Sequence, residues 1–304
     1  MSMWHGVIPA ITTRFNHDGS VDHGFLAEHC RWMLDAGCVG IVPLGSLGEG
    51  ATLSAAEKQA ILQTCVKVAG KNPVIPGIAA LSTAEACQLA QLAAAEGCSG
   101  LMVLPPYLYS TDWREMQAHM SAVISATELP VMIYNNPVAY RTDFVPSQIG
   151  ELAERHPNVQ AVKESSTDVR RVTAIRAELG QRLEILVGVD NAIVEGIAAG
   201  AVGWIAGLVN AFPHESVELF HLAQAVSAGH GDRERLAAIY AWFLPLLRLD
   251  TVPKFVQLIK LTQAMVGMGS ETVRAPRLEL VGAEREAAVA VIEQALAQRQ
   301  ELWP

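Results

Sequence analysis

Short apolar runs alternate with helix-length amphipathic stretches eight times within the first 230 residues. The runs fall at 7–12, 39–44, 73–78, 100–104, 130–134, 159–163, 183–187 and 203–208. Strands apolar on both faces suit a parallel sheet covered by helices, and eight such units predict a closed (β/α)8 barrel over residues 1–230. The helix starts carry their own signals: Ser54-Ala-Ala-Glu57 and Ser82-Thr-Ala-Glu85 have the spacing of a capping box. Ala86, Leu89, Ala90 and Ala93 form one helical stripe. Gly37, Gly97 and Gly200 each stand three residues before a further glycine that opens the next apolar run, as left-handed helix caps do. Residues 231–304 read as helices alone, at 233–247, 253–266 and 283–298, with an irregular loop at 267–280. They predict a helical extension packed on the barrel, since no Pro/Ser-rich linker sets them apart. A doubly wound open sheet lacks its glycine fingerprint after the first strand.

Charged residues make up 17% of the chain and the net charge is -9, without a basic cluster, which argues against nucleic acid as a partner. The uncharged stretch 196–213 approaches membrane-span length. Its four glycines, Asn210 and Pro213 suit a helix end, a turn and a buried strand instead. Five cysteines without a C-x-x-C spacing, and an N-terminus without a basic stretch and apolar run, predict a cytoplasmic protein with reduced thiols and no membrane partner. No histidine at a strand end has a second ligand nearby, so no metal is expected.

In barrels of this kind chemistry gathers at the C-terminal ends of the strands. Of six lysines, only Lys163 lies in a segment that reads as a buried strand. Burial lowers a lysine's pKa and leaves a neutral amine able to attack a carbonyl, which points to Schiff-base chemistry without a cofactor. Tyr134 ends the fifth run; Gly45-Ser46-Leu47-Gly48-Glu49-Gly50 follows the second; Arg141 lies beyond the fifth; Gly188 and Asp190 follow the seventh. Each has a structural reading as well. Lys163 is then an ion-pair partner for a carboxylate such as Glu49, Tyr134 a core tyrosine, residues 45–50 a tight turn, Arg141 a surface residue, Asp190 a helix cap, and Glu49 a loop tie.

These residues resemble those of the dihydrodipicolinate synthase / N-acetylneuraminate lyase family. The likeness runs nearly end to end and is specific at Gly45-x-x-Gly48-Glu49, at Tyr134-Asn135 and at Val162-Lys163-Glu164. The resemblance implies a homo-oligomeric lyase, a tetramer or dimer, acting on a small 2-oxo acid or imino acid. It implies a Schiff base at Lys163, proton relay by Tyr134, and a substrate carboxylate held by Ser46 with the Leu47 amide. Arg141 is expected to assist, with Gly45, Gly48, Glu49, Leu108, Gly188 and Asp190 lining the site.

The chain departs from dihydrodipicolinate synthases at two places. Ser46 and Leu47 stand where those enzymes typically carry two threonines, and Leu108 stands at the position of a second relay tyrosine. Leucine cannot pass a proton. The turn at 45–50, Ala139-Tyr140-Arg141, Lys163-Glu-Ser-Ser166, Gly188-Val-Asp-Asn191 and the segment 206–213 are similar to the family branch that deaminates 1-pyrroline-4-hydroxy-2-carboxylate. Dihydrodipicolinate synthesis, sugar-acid cleavage or dehydration, and non-catalytic binding of an oxo acid are the alternatives.

Overall fold

The computed structural model describes residues 2–106 and 112–302. Seven parallel strands are hydrogen-bonded in the order β1-β7-β6-β5-β4-β3-β2. They are β1 (Gly6–Pro9), β2 (Gly77–Ile78), β3 (Leu101–Val103), β4 (Val131–Asn135), β5 (Val159–Glu164), β6 (Glu184–Val187) and β7 (Gly203–Ala206). The expected second strand, 39–44, closes the gap between β1 and β2 through single bridges, Ala10 to Val42 and Ile41 to Val74. Val42 N–H donates to Pro9 O at 2.8 Å on one side, and Ile75 N–H donates to Ile41 O at 2.8 Å on the other. The result is an eight-membered barrel. Its second and third members are short because Pro43, Pro73 and Pro76 have no N–H for the ladder.

The helices are α1 (His23–Asp35), α2 (Ala55–Ala69), α3 (Thr83–Ala95), α4 (Trp113–Ile124), α5 (Pro137–Tyr140), α6 (Pro146–Arg155), α7 (Arg170–Leu179), α8 (Ile193–Ala198) and α9 (Pro213–Ser227). The C-terminal α10 (Arg233–Leu247), α11 (Phe255–Met265) and α12 (Gly282–Leu302) follow. Ser54 and Glu57 form a reciprocal capping box on α2, and Ser82 Oγ accepts from Glu85 N at the start of α3. The Ala86, Leu89, Ala90 and Ala93 stripe is buried against the barrel. Gly37, Gly97 and Gly200 have positive φ, as a left-handed cap requires. The uncharged stretch at 196–213 divides into the end of α8, β7 and a 3₁₀ turn, and no helix among the described residues is long and apolar enough to cross a membrane.

The extension packs on one flank of the barrel. Gln263 of α11 accepts from Thr12 Oγ1, beyond the end of β1, at 2.8 Å, and Trp242 of α10 donates to Ala295 O of α12 at 2.8 Å. Between α10 and α11 the 3₁₀ turn Arg248–Thr251 contacts another turn, Asp190–Ala192, which follows β6. That contact carries part of the extension onto the barrel face at the C-terminal ends of the strands.

Candidate active site

One cavity of about 440 Å³ opens at the C-terminal ends of the strands. The register of β4 and β5 sets its chemistry. Tyr134 pairs with Lys163, so both side chains point into the barrel, while the next pair, Asn135 and Glu164, points outward. The outward pair is satisfied by its own hydrogen bond, Asn135 Nδ2 to Glu164 Oε2 at 3.1 Å. The inward pair faces the cavity, with Lys163 Nζ 4.0 Å from the centre of the Tyr134 ring.

Two lysines are buried, and their surroundings differ. Lys260 of α11 donates to Glu49 Oε1 at 2.5 Å and to Thr272 O at 2.7 Å. Lys163 is 6% exposed and has no hydrogen bond or ion pair among the described residues. Burial lowers its pKa to about 8, against the upward pull of Asp250 and Asp190. Burial likewise raises the pKa of the Tyr134 phenol, although Asn136 Nδ2 donates to its oxygen at 3.0 Å. The Lys163 amine thus gives up its proton more readily than an exposed lysine, beside a phenol that keeps its own.

A second tyrosine completes a chain of hydroxyls. Ser46 Oγ and the Tyr140 hydroxyl share a short hydrogen bond. The Tyr140 ring meets Tyr134 edge to face, 5.8 Å between centres and at 86°. Tyr140 comes from α5, the short helix that Asn136 caps through Ala139 N–H at 3.0 Å. Ser165 Oγ lines the same cavity, buried and without a hydrogen-bond partner at bonding geometry.

A model of the dihydrodipicolinate synthetase family matches residues 3–295. The chain belongs to that family. It is therefore an enzyme of the lyase type. The 4-hydroxy-tetrahydrodipicolinate synthase of Agrobacterium fabrum (strain C58) is 33% identical over 288 residues, 94% of this chain and 96% of the relative. The crystal structure of dihydrodipicolinate synthase from Aquifex aeolicus superposes with a TM-score of 0.89 at 27% identity, covering 95% of this chain and 97% of that one. YagE, a prophage protein of the family from E. coli K12 in complex with pyruvate, gives 0.88 at 25% identity, covering 97% and 99%.

Of the residues that the family likeness singles out, Gly45, Ser46, Leu47, Tyr134, Lys163 and Gly188 line the cavity. Leu108 lies outside the described residues. Four residues expected at the site stand elsewhere. Glu49 is fully buried behind the turn, where it binds Lys260 and accepts from Arg274 N at 3.0 Å. It is the tie of its loop to the C-terminal extension and not a partner for Lys163. Gly48 is pressed against the backbone at Ile11, where a Cβ would come within 2.8 Å of the carbonyl oxygen. Asp190 is buried beneath the cavity wall, and its carboxylate accepts from Trp204 Nε1 at 2.9 Å, Gly207 N at 3.1 Å and Leu208 N at 2.7 Å. It holds the end of β7 and does not cap a helix by its side chain. Arg141 is exposed, ends α5 in a left-handed conformation and does not line the cavity. The arginine that does line it is Arg277, from the irregular loop at 267–280, 3.9 Å from Glu49 Oε2.

Tyr140, Asp250 and Arg277 are cavity residues that carry no assigned role in the expectation from sequence. Tyr140 and Arg277 both sit inside segments of family likeness. Asp250 stands in the connection between α10 and α11 beside Arg248, Thr251 and Lys254, where nothing in the sequence sets it apart from an ordinary polar loop residue.

The family's lysine depends here on a glycine. A Cβ at Gly188 would lie 2.0 Å from Ser165 Oγ and 2.6 Å from Lys163 Cε. Gly188→Ala is expected to displace the lysine stem by a few tenths of an ångström or more. Displacement on the order of 1 Å costs about a hundredfold in rate. The check is the initial rate of reductively trapped adduct, with thermal melting to verify the fold; an unchanged rate contradicts the tight seat assigned to Lys163.

Proposed function

We propose that the protein is a lysine Schiff-base lyase acting on a small 2-oxo acid or its cyclic imine. The observation that carries this reading is the partnerless Lys163 amine, shielded from bulk water and stacked over Tyr134 in the cavity. Lys163 Nζ attacks C2 of the substrate, and the displaced oxygen leaves as water after protonation. The protonated imine is a better electron sink than the ketone, so the C3 proton becomes acidic. Tyr134 moves protons at that centre, and Ser46 and Tyr140 extend the path by which its phenol is recharged. Gly45, Ser46 and Leu47 form the wall that receives the carboxylate.

Two substrate readings use this machinery. The name of the Agrobacterium relative supports 4-hydroxy-tetrahydrodipicolinate synthesis, in which the enamine from pyruvate adds to aspartate semialdehyde. Leu47, buried where those synthases typically have a threonine, supports deamination of 1-pyrroline-4-hydroxy-2-carboxylate. In that reaction Lys163 replaces the ring nitrogen at C2 and the ring opens to a C5 amine. Loss of the C3 proton and of the C4 hydroxyl removes one water. Proton transfer from C5 and its amine to C3 and C4 isomerises the unsaturated C5 amine to a C5 imine; hydrolysis of that imine frees ammonia, and hydrolysis of the lysine imine frees 2,5-dioxopentanoate. Turnover measured on pyruvate with aspartate semialdehyde and, separately, on the cyclic imine distinguishes them. Turnover of neither, with tight binding of pyruvate that Lys163→Ala leaves intact, defeats the lyase reading in favour of oxo-acid binding.

The lowered pKa of Lys163 fixes a pH dependence. The attacking form is the free amine, so adduct formation rises about tenfold per unit of pH below 8 and levels off above it. An unperturbed lysine, near 10.4, would keep the rate rising through about pH 10. Initial rates of borohydride-trapped adduct between pH 6 and about 10 give the check.

A further inference from the structure

The turn Arg248–Thr251 brings a carboxyl to the catalytic face that the reaction scheme above does not use. Asp250 lines the cavity together with Lys163, Tyr134 and Ser165. It is packed against the end of β7: a Cβ at Gly207 would lie 2.1 Å from Asp250 Oδ1 and 2.6 Å from its Cγ. No described residue donates a hydrogen bond to it, and it forms no ion pair with Lys163 within 4.0 Å. The nearby Asp190 is the opposite case, its carboxylate taken up by three N–H groups of β7 and the turn that follows. Two acids therefore lie close together, one consumed by the fold and the other facing open space.

A half-buried carboxyl that lines a cavity and has no protein donor is left to hydrogen-bond whatever enters that cavity. The Lys163 amine and the Asp250 carboxyl face the same cavity with a gap between them, which is the place for a molecule attached to that amine. We propose that Asp250 determines specificity by receiving a hydroxyl or N–H group that the substrate carries beyond its 2-oxo acid core. This rests on the Schiff-base reading for the orientation of the substrate and adds the C-terminal extension to the binding surface.

Burial, and then the neighbouring charge of Asp190, hold the Asp250 carboxyl well above the usual carboxylate range, against the opposing pull of Lys163. A protonated carboxyl offers one donor and one acceptor, which matches a hydroxyl group that both gives and takes a hydrogen bond. A plain 2-oxo acid leaves both unmet. Sites built around a hydrogen bond reject analogues that lack the bonding group more strongly than apolar pockets reject an added one.

Equilibrium binding of 5-hydroxy-2-oxopentanoate, whose hydroxyl is placed where the lyase can neither eliminate nor cleave it, and of 2-oxopentanoate, measured by calorimetry, tests the assignment, with borohydride trapping run in parallel. The wild-type protein is expected to prefer the hydroxylated acid by about tenfold or more. In Asp250→Ala that preference falls to within about twofold, and any effect of the variant on Lys163 itself cancels in the ratio. Gly207→Ala reaches the same carboxyl from the other side, by pushing it from its seat, and is expected to reduce the preference in the same direction. A wild-type protein without the preference, or variants that retain it, overturns the proposal. Failure of both acids to form an adduct at Lys163, with the binding preference present and lost in Asp250→Ala, instead defeats the Schiff-base step and leaves Asp250 in its place.

Discussion

Lys163→Ala is expected to lower turnover by on the order of 10⁵- to 10⁶-fold, the scale on which enzymes lose rate with their nucleophile. The size follows from the absence of a substitute. Lys260, the other buried lysine, is spent on Glu49 and Thr272 O behind the turn, and the remaining described lysines do not line the cavity. Arginine at 163 restores charge but not reactivity, because a guanidinium does not give up its proton in a protein. Lys163→Arg is therefore expected to be as inactive as Lys163→Ala. The fold is expected to survive both changes, since the amine makes no hydrogen bond that its removal would break among the described residues. Steady-state turnover and thermal melting of the two variants give the check, and residual activity within about a hundredfold of wild type contradicts the covalent role.

Tyr134→Phe separates adduct formation from turnover. The ring that lies 4.0 Å from Lys163 Nζ is retained, so the amine keeps its shielding, while the hydroxyl proposed to move protons is gone. General acid–base groups contribute about 10²- to 10⁴-fold, and turnover is expected to fall by that amount. The adduct still forms, more slowly, because water in the cavity replaces the phenol poorly and not at all selectively. Tyr140→Phe and Ser46→Ala interrupt the chain one and two hydroxyls further out, and their losses are expected to be smaller than that of Tyr134→Phe. Single-turnover trapping read beside steady-state rates distinguishes the two steps. Near-normal turnover in Tyr134→Phe removes the phenol from the proton path.

The barrel was legible because its signals are local: apolar runs, capping boxes and the left-handed glycines at 37, 97 and 200 each act within a few residues. What shortened the second and third strands was also in the sequence, as Pro43, Pro73 and Pro76, but a proline tells only that a ladder bond is missing and not which neighbour supplies closure. Lys163 and Tyr134 were legible as strand ends, and family likeness sharpened them. Their face-to-face placement depends on the register of β4 with β5, which no single strand encodes.

Residues whose role depends on a distant partner were the ones missed or misplaced. Glu49 went to Lys260, more than 200 positions away, although a lysine inside the apolar run of α11 was a signal that some carboxylate had to be buried with it. Asp190 went to the backbone of β7, and Arg141 to solvent. Asp250 and Arg277 reach the cavity from the C-terminal extension and its loop, where helical periodicity describes how a helix packs but not which barrel face its connecting turns meet.

The central claim is that one shielded amine becomes covalently joined to the keto or imine carbon of an organic acid. Incubation of the wild-type protein with pyruvate, reduction with borohydride and peptide mapping by mass spectrometry test it most directly. The expected result is a single reduced adduct on the peptide that contains Lys163, absent when borohydride or pyruvate is left out. An adduct at another lysine, or none while the protein turns substrate over, contradicts it.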